Sequence, residues 1–417
     1  MNESIKKRIE AVRQGEVPEG YRRTRAGLMP FDWQVDLAAK DVFRNYTNKK
    51  HNGEFQVLSA TQDRGIILRS EVDIDIKFAE ENVGSYKKVD AGCFVISLRS
   101  FQGGIEYSEY EGLVSPAYTV LKATRPISDN YYRAYFKTPD FISRLNGAVY
   151  GIRDGKQIGY EDFGELAVHY PPLAEQQKIA EILATCDRVI ELKRQLLEEK
   201  RRQKQWLMQK LLDPNSDMRQ PECSNVKWIT CGIKDLGTVI TGSTPDKSCD
   251  EFWGGDFPWI TSQDFTGKYI STAGVHVTEA GKKKCRVLPA GAVLVTCIAS
   301  IGLNAIAQVD CATNQQINAI ICNGICSEEM LYYIVEYNKG TLERLAGKTA
   351  VPIISKDQFE KIKVTIPECR SEQEKITKVL SAADSEIQLL QSELEMWKQK
   401  KKALMQLLLT GLVRVKA

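Results

Sequence analysis

The run from Leu173 to Leu212 contains neither glycine nor proline and is dominated by Leu, Glu, Lys, Gln and Arg, all strong helix formers. Apolar or small residues recur at alternating steps of four and three, at Ile179, Leu183, Cys186, Ile190 and Leu197, and again at Leu207 and Leu211. That spacing is the 3.5-residue period of a helix packed lengthwise on another helix. Lys193, Lys200 and Lys204 interrupt the second half of the seam. Such a helix spans about 60 Å at roughly 1.5 Å per residue. In water it needs a partner, because propensity alone leaves it marginal.

The chain repeats itself and so supplies one. Gly151 and Gly347, Phe163 and Phe359, and Pro171 and Pro367 are each 196 residues apart. One extra residue at Cys369-Arg370 then moves the offset to 197. At that offset Glu175-Gln176 matches Glu372-Gln373, Lys178-Ile179 matches Lys375-Ile376, and Asp187 matches Asp384. Lys204 matches Lys401, and Leu207-Met208-Gln209 matches Leu404-Met405-Gln406. Chance does not hold a register over so long a run. The second helix, expected over 371–409, has the cleaner seam: Ile376, Leu380, Ala383, Ile387, Leu390, Leu394 and Trp397, then Leu404 and Leu408 beyond Lys401. The simplest packing lays the helices antiparallel as a coiled-coil spacer, with a globular domain at either end and a pseudo-twofold axis between the halves.

At 417 residues the chain exceeds what one core sustains. The reading is a mixed α/β (α+β) protein in four parts: a globular domain over 1–171, a helical spacer over 172–213, a second globular domain over 214–368 and a second spacer over 369–417. In the first domain, 55–59, 65–68 and 93–99 are short β-rich runs. Residues 131–145 have helical spacing, with Tyr131, Tyr135 and Phe136 as core, and Phe163, Leu166 and Val168 read as a strand. Pro171-Pro172 ends it, and Glu175 falls in the first helical turn, where its charge suits the dipole. Asp213-Pro214-Asn215 stops the helix. In the second domain, 291–297 and 304–309 read as buried strands and 328–345 as a helix. The middles of the domains, 53–115 and 242–318, do not visibly align. Two similar helices holding two dissimilar heads fit a part that reads two different targets at a fixed separation.

Several classes fall away. No apolar run approaches the roughly 20 residues of a membrane span, and the polar N-terminus MNESIKKRIEAVRQGE has no signal-peptide core. A cytoplasmic protein is expected. Eleven cysteines is an odd number, better read as free thiols than as a disulfide framework. Cys322 and Cys326 have no histidine nearby and no second pair at matching spacing, so no metal site is assigned. There is no phosphate loop: Leu342 stands where the glycine leading to Gly347-Lys348-Thr349 should be. No GxGxxG is present. Tyr170-Pro171-Pro172-Leu173 lacks the Asn or Asp of the amino-methyltransferase motif, and His51, His169 and His276 are isolated. Nothing supports catalysis by this chain alone, and no catalytic residue is assigned.

What remains suits DNA. The net charge of +3 is modest, yet local clustering decides phosphate contact. Basic runs occur at Arg22-Arg23-Thr24-Arg25, Lys49-Lys50-His51, Lys87-Lys88 and Lys282-Lys283-Lys284-Cys285-Arg286. Arg99-Ser100-Phe101-Gln102 and Asn314-Gln315-Gln316 carry groups able to read base edges. Taken singly, basic runs are commonly solvated faces, and such amides satisfy buried backbone as readily as they read bases.

These residues together resemble the DNA-specificity subunits of type I restriction-modification systems, and the resemblance covers essentially the whole chain. Each half has Pro followed by Glu-Gln-x-Lys-Ile at the head of a long helix, at Pro172/Glu175 and Pro367/Glu372. The second domain has Gly242-Ser-Thr-Pro245, Trp253-x-Gly255, Pro258-Trp259-Ile260 and Asn314-Gln315-Gln316. The first has Leu98-Arg99-Ser100-Phe101-Gln102-Gly103-Gly104-Ile105 and Gly112-Leu-Val-Ser-Pro-Ala-Tyr118.

The resemblance implies two target-recognition domains, each binding half of a split site in double-stranded DNA, with the helices setting the gap. It implies two docked methyltransferase subunits that flip and methylate adenine using S-adenosylmethionine, and restriction subunits that use ATP and Mg2+. This chain would itself hold no cofactor. Ser243, Thr244, Trp259, Ser262, Gln263, Lys283, Lys284, Arg286 and Lys348 join Lys87, Lys88, Arg99, Gln102 and residues 314–316 as candidate DNA contacts. The first domain carries about thirty residues before Trp33, more than separate Leu212 from Trp228; that segment is expected to cross to the second helix. The alternative is a coiled-coil adaptor that recruits protein partners, and a stand-alone enzyme is disfavoured by the missing motifs.

Overall fold

The computed structural model describes residues 3–34, 37–51, 53–72, 80–147, 158–216, 226–347 and 350–415. The 151–156 loop, Cys223 and Lys348 lie outside them. The chain divides into two compact units, 1–193 with 393–417, and 194–392.

In the first unit, β1 (Phe43–Asn45), β2 (Phe94–Ile96), β3 (Glu106–Tyr107) and β4 (Thr119–Ala123) form an antiparallel sheet in the order β1-β4-β2-β3. One face packs on α1 (Asp129–Tyr135) and the helix Pro139–Gly147, through Phe43, Phe94, Tyr132, Phe136 and Phe141. The ring centroids of Phe43 and Tyr132 are 5.1 Å apart, edge to face, as aromatic quadrupoles prefer. The long helix α2 (Leu173–Leu212) begins in this unit, and Ile179 and Leu183 complete the same core.

In the second unit, β5 (Gly237–Thr241), β7 (Tyr269–Ile270), β8 (Val293–Thr296), β9 (Asn304–Ala307) and β11 (Ile317–Cys322) form the sheet β5-β11-β8-β9-β7. Its first four strands are antiparallel neighbours in the same order as the four of the first unit. The helix α3 (Glu328–Tyr337) stands where α1 does, directly after the strand at the sheet's second position. Two further strands, β6 (Trp253–Ile260) and β10 (Ala312–Thr313), lie parallel outside this sheet. The middles of the domains, unalignable as sequence, therefore share a sheet. Antiparallel pairing is satisfied by backbone groups, which leaves the side chains free to diverge.

Three elements differ from expectation. Residues 131–145 form two helices, because Pro139 starts a new one and its ring disfavours helical continuation at Thr138. Residues 328–345 likewise divide at Asn338, which caps α3 before Lys339–Ala346 begins. Phe163 lies on the short helix Tyr160–Gly164, and its repeat mate Phe359 on Lys356–Glu360. Strand formation there is confined to bridges at Ala167 and Tyr170 with residues 38 and 34.

The second long helix, α4, runs from Arg370 to Leu409. Within each unit its segment runs antiparallel to that of α2. In the first unit Asp187 pairs with Lys401 at 2.5 Å and Lys193 with Glu393 at 2.5 Å. In the second Lys200 pairs with Glu386 at 2.7 Å and Lys204 with Asp384 at 2.6 Å. The lysines that interrupt the seam are thus the residues that bridge the helices. All the seam leucines and isoleucines named above, and Trp397, are buried or half-buried.

The repeated Glu-Gln at each helix head has a definite task. Gln176 is fully buried; its amide donates to Pro171 O at 2.8 Å and its carbonyl accepts from Ser128 N at 2.9 Å. Gln373 is equally buried, donating to Pro367 O at 2.9 Å and accepting from Ser327 N at 3.2 Å. Ser128 and Ser327 are the N-caps of α1 and α3. Each glutamine therefore joins the incoming proline segment, the long helix and the domain helix at one point.

The N-terminal segment closes on the end of α4 inside the first unit. Tyr21 OH donates to Gly411 O at 2.6 Å and Arg8 to Leu412 O at 2.7 Å. Arg414 grips both oxygens of Asp32 at 2.7 Å and both of Glu175 at 2.8 Å. Glu175 also accepts from Trp33 Nε1 at 2.9 Å. His169 is buried with both ring nitrogens 2.8 Å from carbonyls, of Leu409 and Ala26.

Candidate nucleic-acid interface

In the second unit the recognition loops meet because two strands leave the fold side by side. Trp259 pairs with Ala312 and Ile260 with Thr313 in parallel register, so residues 261–263 and 314–316 emerge together. The loop after β5 closes against them at Gly242, where a Cβ would lie 2.1 Å from Asn314 O. Only glycine permits that approach. Ser243 N donates to Thr313 O at 2.8 Å, and Ser243 Oγ accepts from Arg286 N at 2.9 Å. The Arg286 guanidinium donates to Thr241 O at 2.7 Å, and Thr244 bonds Gln315.

Residues 243, 244, 286 and 314–316 are therefore one cluster, with Ser262 and Gln263 beside it. Trp259 is buried; its Nε1 donates to Ser243 O at 3.0 Å, and Trp253 packs on it edge to face at 5.0 Å. It supports the loops from beneath. Asn314 Nδ2 donates to Gln316 Oε1 at 3.3 Å and Asn314 Oδ1 accepts from Gln316 N at 3.1 Å. That leaves Gln315, Gln263 and Arg286 as the exposed polar groups of the cluster. Lys283 and Lys284 are exposed on the turn that leads to Arg286. Asp264 holds the 261–264 turn by accepting from Thr261 N at 2.7 Å and Gly274 N at 2.8 Å.

In the first unit a basic cluster gathers around Tyr118. Lys87 donates to Tyr118 O at 2.5 Å, and burial together with the charge of Lys49 pulls its ammonium below the ordinary lysine range. Burial raises the Tyr118 phenol while the guanidiniums of Arg69 and Arg99 oppose it. Lys88 is turned to other work, 2.5 Å from Glu111 and over the Phe55 ring. Gln102 is exposed on the helix Ser100–Gly103. Arg69 was not legible as a candidate, being a single arginine on the short 3-10 turn Arg69–Glu71 with no motif around it.

The two clusters occupy the same place on the repeated sheet. Asn45 of β1 and Ile96 of β2 flank β4 at its N-terminal end, pairing with Leu121 and Thr119. Tyr118 immediately precedes Thr119, and Lys49 and Arg99 lie four and three residues beyond Asn45 and Ile96. Thr241 of β5 and Thr296 of β8 flank β11 at its N-terminal end, pairing with Asn318 and Ile317. Residues 243, 244 and 314–316 adjoin that end. Among the described residues no group of His, Cys, Asp and Glu is arranged to hold a metal, every cysteine is a free thiol, and no helix is long and apolar enough to cross a membrane.

The family profile described as Type I restriction modification DNA specificity domain matches the chain twice, over 35–200 and 225–396. The MjaX specificity subunit of Methanocaldococcus jannaschii, a type I restriction enzyme component, is 25% identical over 95% of this chain and 97% of its own length. The MjaIX specificity subunit of the same organism is 36% identical over 39% of each chain. The HindI specificity subunit of Haemophilus influenzae is 35% identical over 34% of this chain and 32% of its own length. Two solved structures share the fold at 14% identity. The type I restriction-modification S subunit of M. genitalium superposes with a TM-score of 0.55 over 90% of this chain and 96% of that one. A chain from a study of type I complex assembly and conformational transition superposes at 0.62 over 92% and 99%.

Proposed function

Because the chain belongs to the type I restriction modification DNA specificity family, we propose that it is the non-catalytic subunit that reads DNA sequence for a type I restriction-modification enzyme. Each globular domain reads one half of a bipartite duplex site, and the helices set the gap between the halves. The observation that carries this reading is the repeated placement of base-reading and basic side chains at one end of the same sheet. In the first half-site Arg99 and Gln102 supply base-edge groups, with Lys49, Lys87 and Arg69 for phosphate. In the second half-site Gln263, Arg286 and Gln315 face bases, with Lys283 and Lys284 for phosphate. Lys348 is a further phosphate candidate by its place in the sequence.

The helices also dock two methyltransferase subunits. The apolar side chains that avoid the seam support this: Leu192 and Met396 are exposed in the first unit, and Leu196, Trp206, Val379 and Leu389 in the second. Leu192 and Leu389 are mates in the repeat, as two copies of one partner require. The partners bring S-adenosylmethionine, and restriction subunits bring ATP and Mg2+. Much of the phosphate contact then falls to them, which suits a net charge of only +3. The site of action is the cytoplasm, where the chromosome lies.

Footprinting of the chain with its methyltransferase tests the reading. Two protected blocks separated by a gap whose sequence does not matter are expected. A single continuous sequence requirement, or no protection, would favour the adaptor alternative.

A further inference from the structure

We propose that Lys268 is a positioning residue that locks the second recognition domain onto its helical segments in one register, and so narrows the half-site gap the complex accepts. This rests on the two-half-site reading above.

Lys268 lies four residues beyond Asp264, between the 261–264 recognition turn and β7. Its carbonyl accepts from Ile306 N at 2.8 Å, which makes it part of the sheet. Its side chain turns away from the DNA-reading end and is 9% exposed. The ammonium donates to Ser381 Oγ on α4 at 2.7 Å and Tyr333 OH on α3 at 3.0 Å, and pairs with Glu329. Tyr333 OH donates in turn to Asp384 at 2.6 Å. Asp384 meets Lys204 of α2 at 2.6 Å, and Lys204 reaches Glu336 of α3 at 2.9 Å. One connected chain of charges and hydroxyls thus joins the sheet edge, the domain helix and both long helices.

Such a network satisfies its members in one arrangement only, whereas apolar contacts tolerate small slides at little cost. The apolar side chains that join the domain to the helices here, Met208, Leu212, Ile376 and Leu380, lack that discrimination. Among the described residues the first unit shows no counterpart. Ala184 stands at the repeat position of Ser381, and Asp187 meets Lys401 alone at a half-exposed site. Among the described residues, only the second domain is keyed to its helices through a charged residue adjoining a recognition loop.

The test measures methylation by the complete complex, carrying wild type or Lys268→Met, on duplexes with fixed half-sites and gaps one base pair shorter or longer. Wild type is expected to favour one gap. Lys268→Met is expected to shrink that preference by about fivefold or more, within the usual range of coupling between sites, with unchanged base preference inside each half-site. Lys268→Arg should restore most of it. Ser381→Ala guards against a fold defect, since alanine already occupies the equivalent helix position, and it should weaken the gap preference in the same direction. Gap preference in Lys268→Met and Ser381→Ala equal to wild type would overturn the proposal, whatever the change in stability. Absence of any gap preference in wild type would overturn the bipartite reading itself.

Discussion

The ammonium of Lys204 lies 2.6 Å from the carboxylate of Asp384, and the internal repeat converts that pair into Lys401 and Asp187, which meet at 2.5 Å. One contact is made twice, each time within its own unit. The environments differ. The Lys204 and Asp384 side chains are 11% and 23% exposed, those of Lys401 and Asp187 28% and 57%. Burial pulls the Lys204 ammonium down, and Glu336 and Asp384 more than restore it.

Removing the two lysines should therefore cost unequal amounts. Lys204→Ala strands two part-buried carboxylates, for about 3 kcal/mol. Lys401→Ala leaves a half-exposed aspartate in water, for about 1 kcal/mol or less. Urea denaturation of the two variants reads the difference. Equal losses would mean that the environment of the pair does not matter.

Gln176→Ala and Gln373→Ala should destabilise by similar amounts, about 2–4 kcal/mol each, because each strands the N-cap N–H of a domain helix and a buried proline carbonyl. Gln→Glu should be worse at either site, since a carboxylate oxygen would then face the carbonyl of Pro171 or Pro367. Denaturation midpoints of the four variants check this. A cost at one position only would break the equivalence of the two junctions.

The helices, their junctions and their repeat were legible because offsets of 196 and 197 residues align prolines, glutamines and seam positions directly. The matched lysines 204 and 401 were visible too, but not their partners, which depend on an antiparallel register between segments far apart in sequence. The shared sheet was hidden: β1 reads FRN where β5 reads GTVIT, and backbone pairing does not constrain those letters. At the candidate interface the motifs located residues 242–245 and 314–316. Their convergence required the parallel pairing of β6 with β10. Trp259, a candidate by residue type, is buried with its Nε1 on Ser243 O, and Lys88 is paired with Glu111, since exposure and partnership are not written in residue type. The three histidines are isolated in the sequence, which fits a surface or structural role, and His169, held by two carbonyls, is of the structural kind.

Base readers and phosphate contacts should separate by their signatures. Gln315→Ala or Arg286→Ala should relax base preference at single positions of the second half-site, by about 1–3 kcal/mol each. Lys283→Ala and Lys284→Ala should weaken binding evenly across sequences and lower the salt slope by about one per lysine. Binding titrations against single-base variants at several salt concentrations distinguish the two. A Lys283→Ala variant with altered base preference would reverse the assignment.

Acid should loosen the closure of the first unit at Asp32. The hydrogen bonds from Arg414 hold the Asp32 carboxyl below the ordinary aspartate range, against a smaller opposing effect of burial. A carboxyl depressed in the folded state stabilises it above its ordinary value, near 4, and loses that contribution as pH falls through the depressed value. Protease cleavage of the N-terminal segment should rise over that acid range. Asp32→Asn should be more readily cleaved at neutral pH and show less change on acidification. Identical profiles in both proteins would remove Asp32 from the closure.

The most direct test of the whole account is the methylome of cells that express the chain with its methyltransferase. The account predicts new adenine methylation in both halves of a split motif, separated by a gap of fixed length and free sequence. A continuous methylated motif, or no sequence-specific methylation, would contradict it.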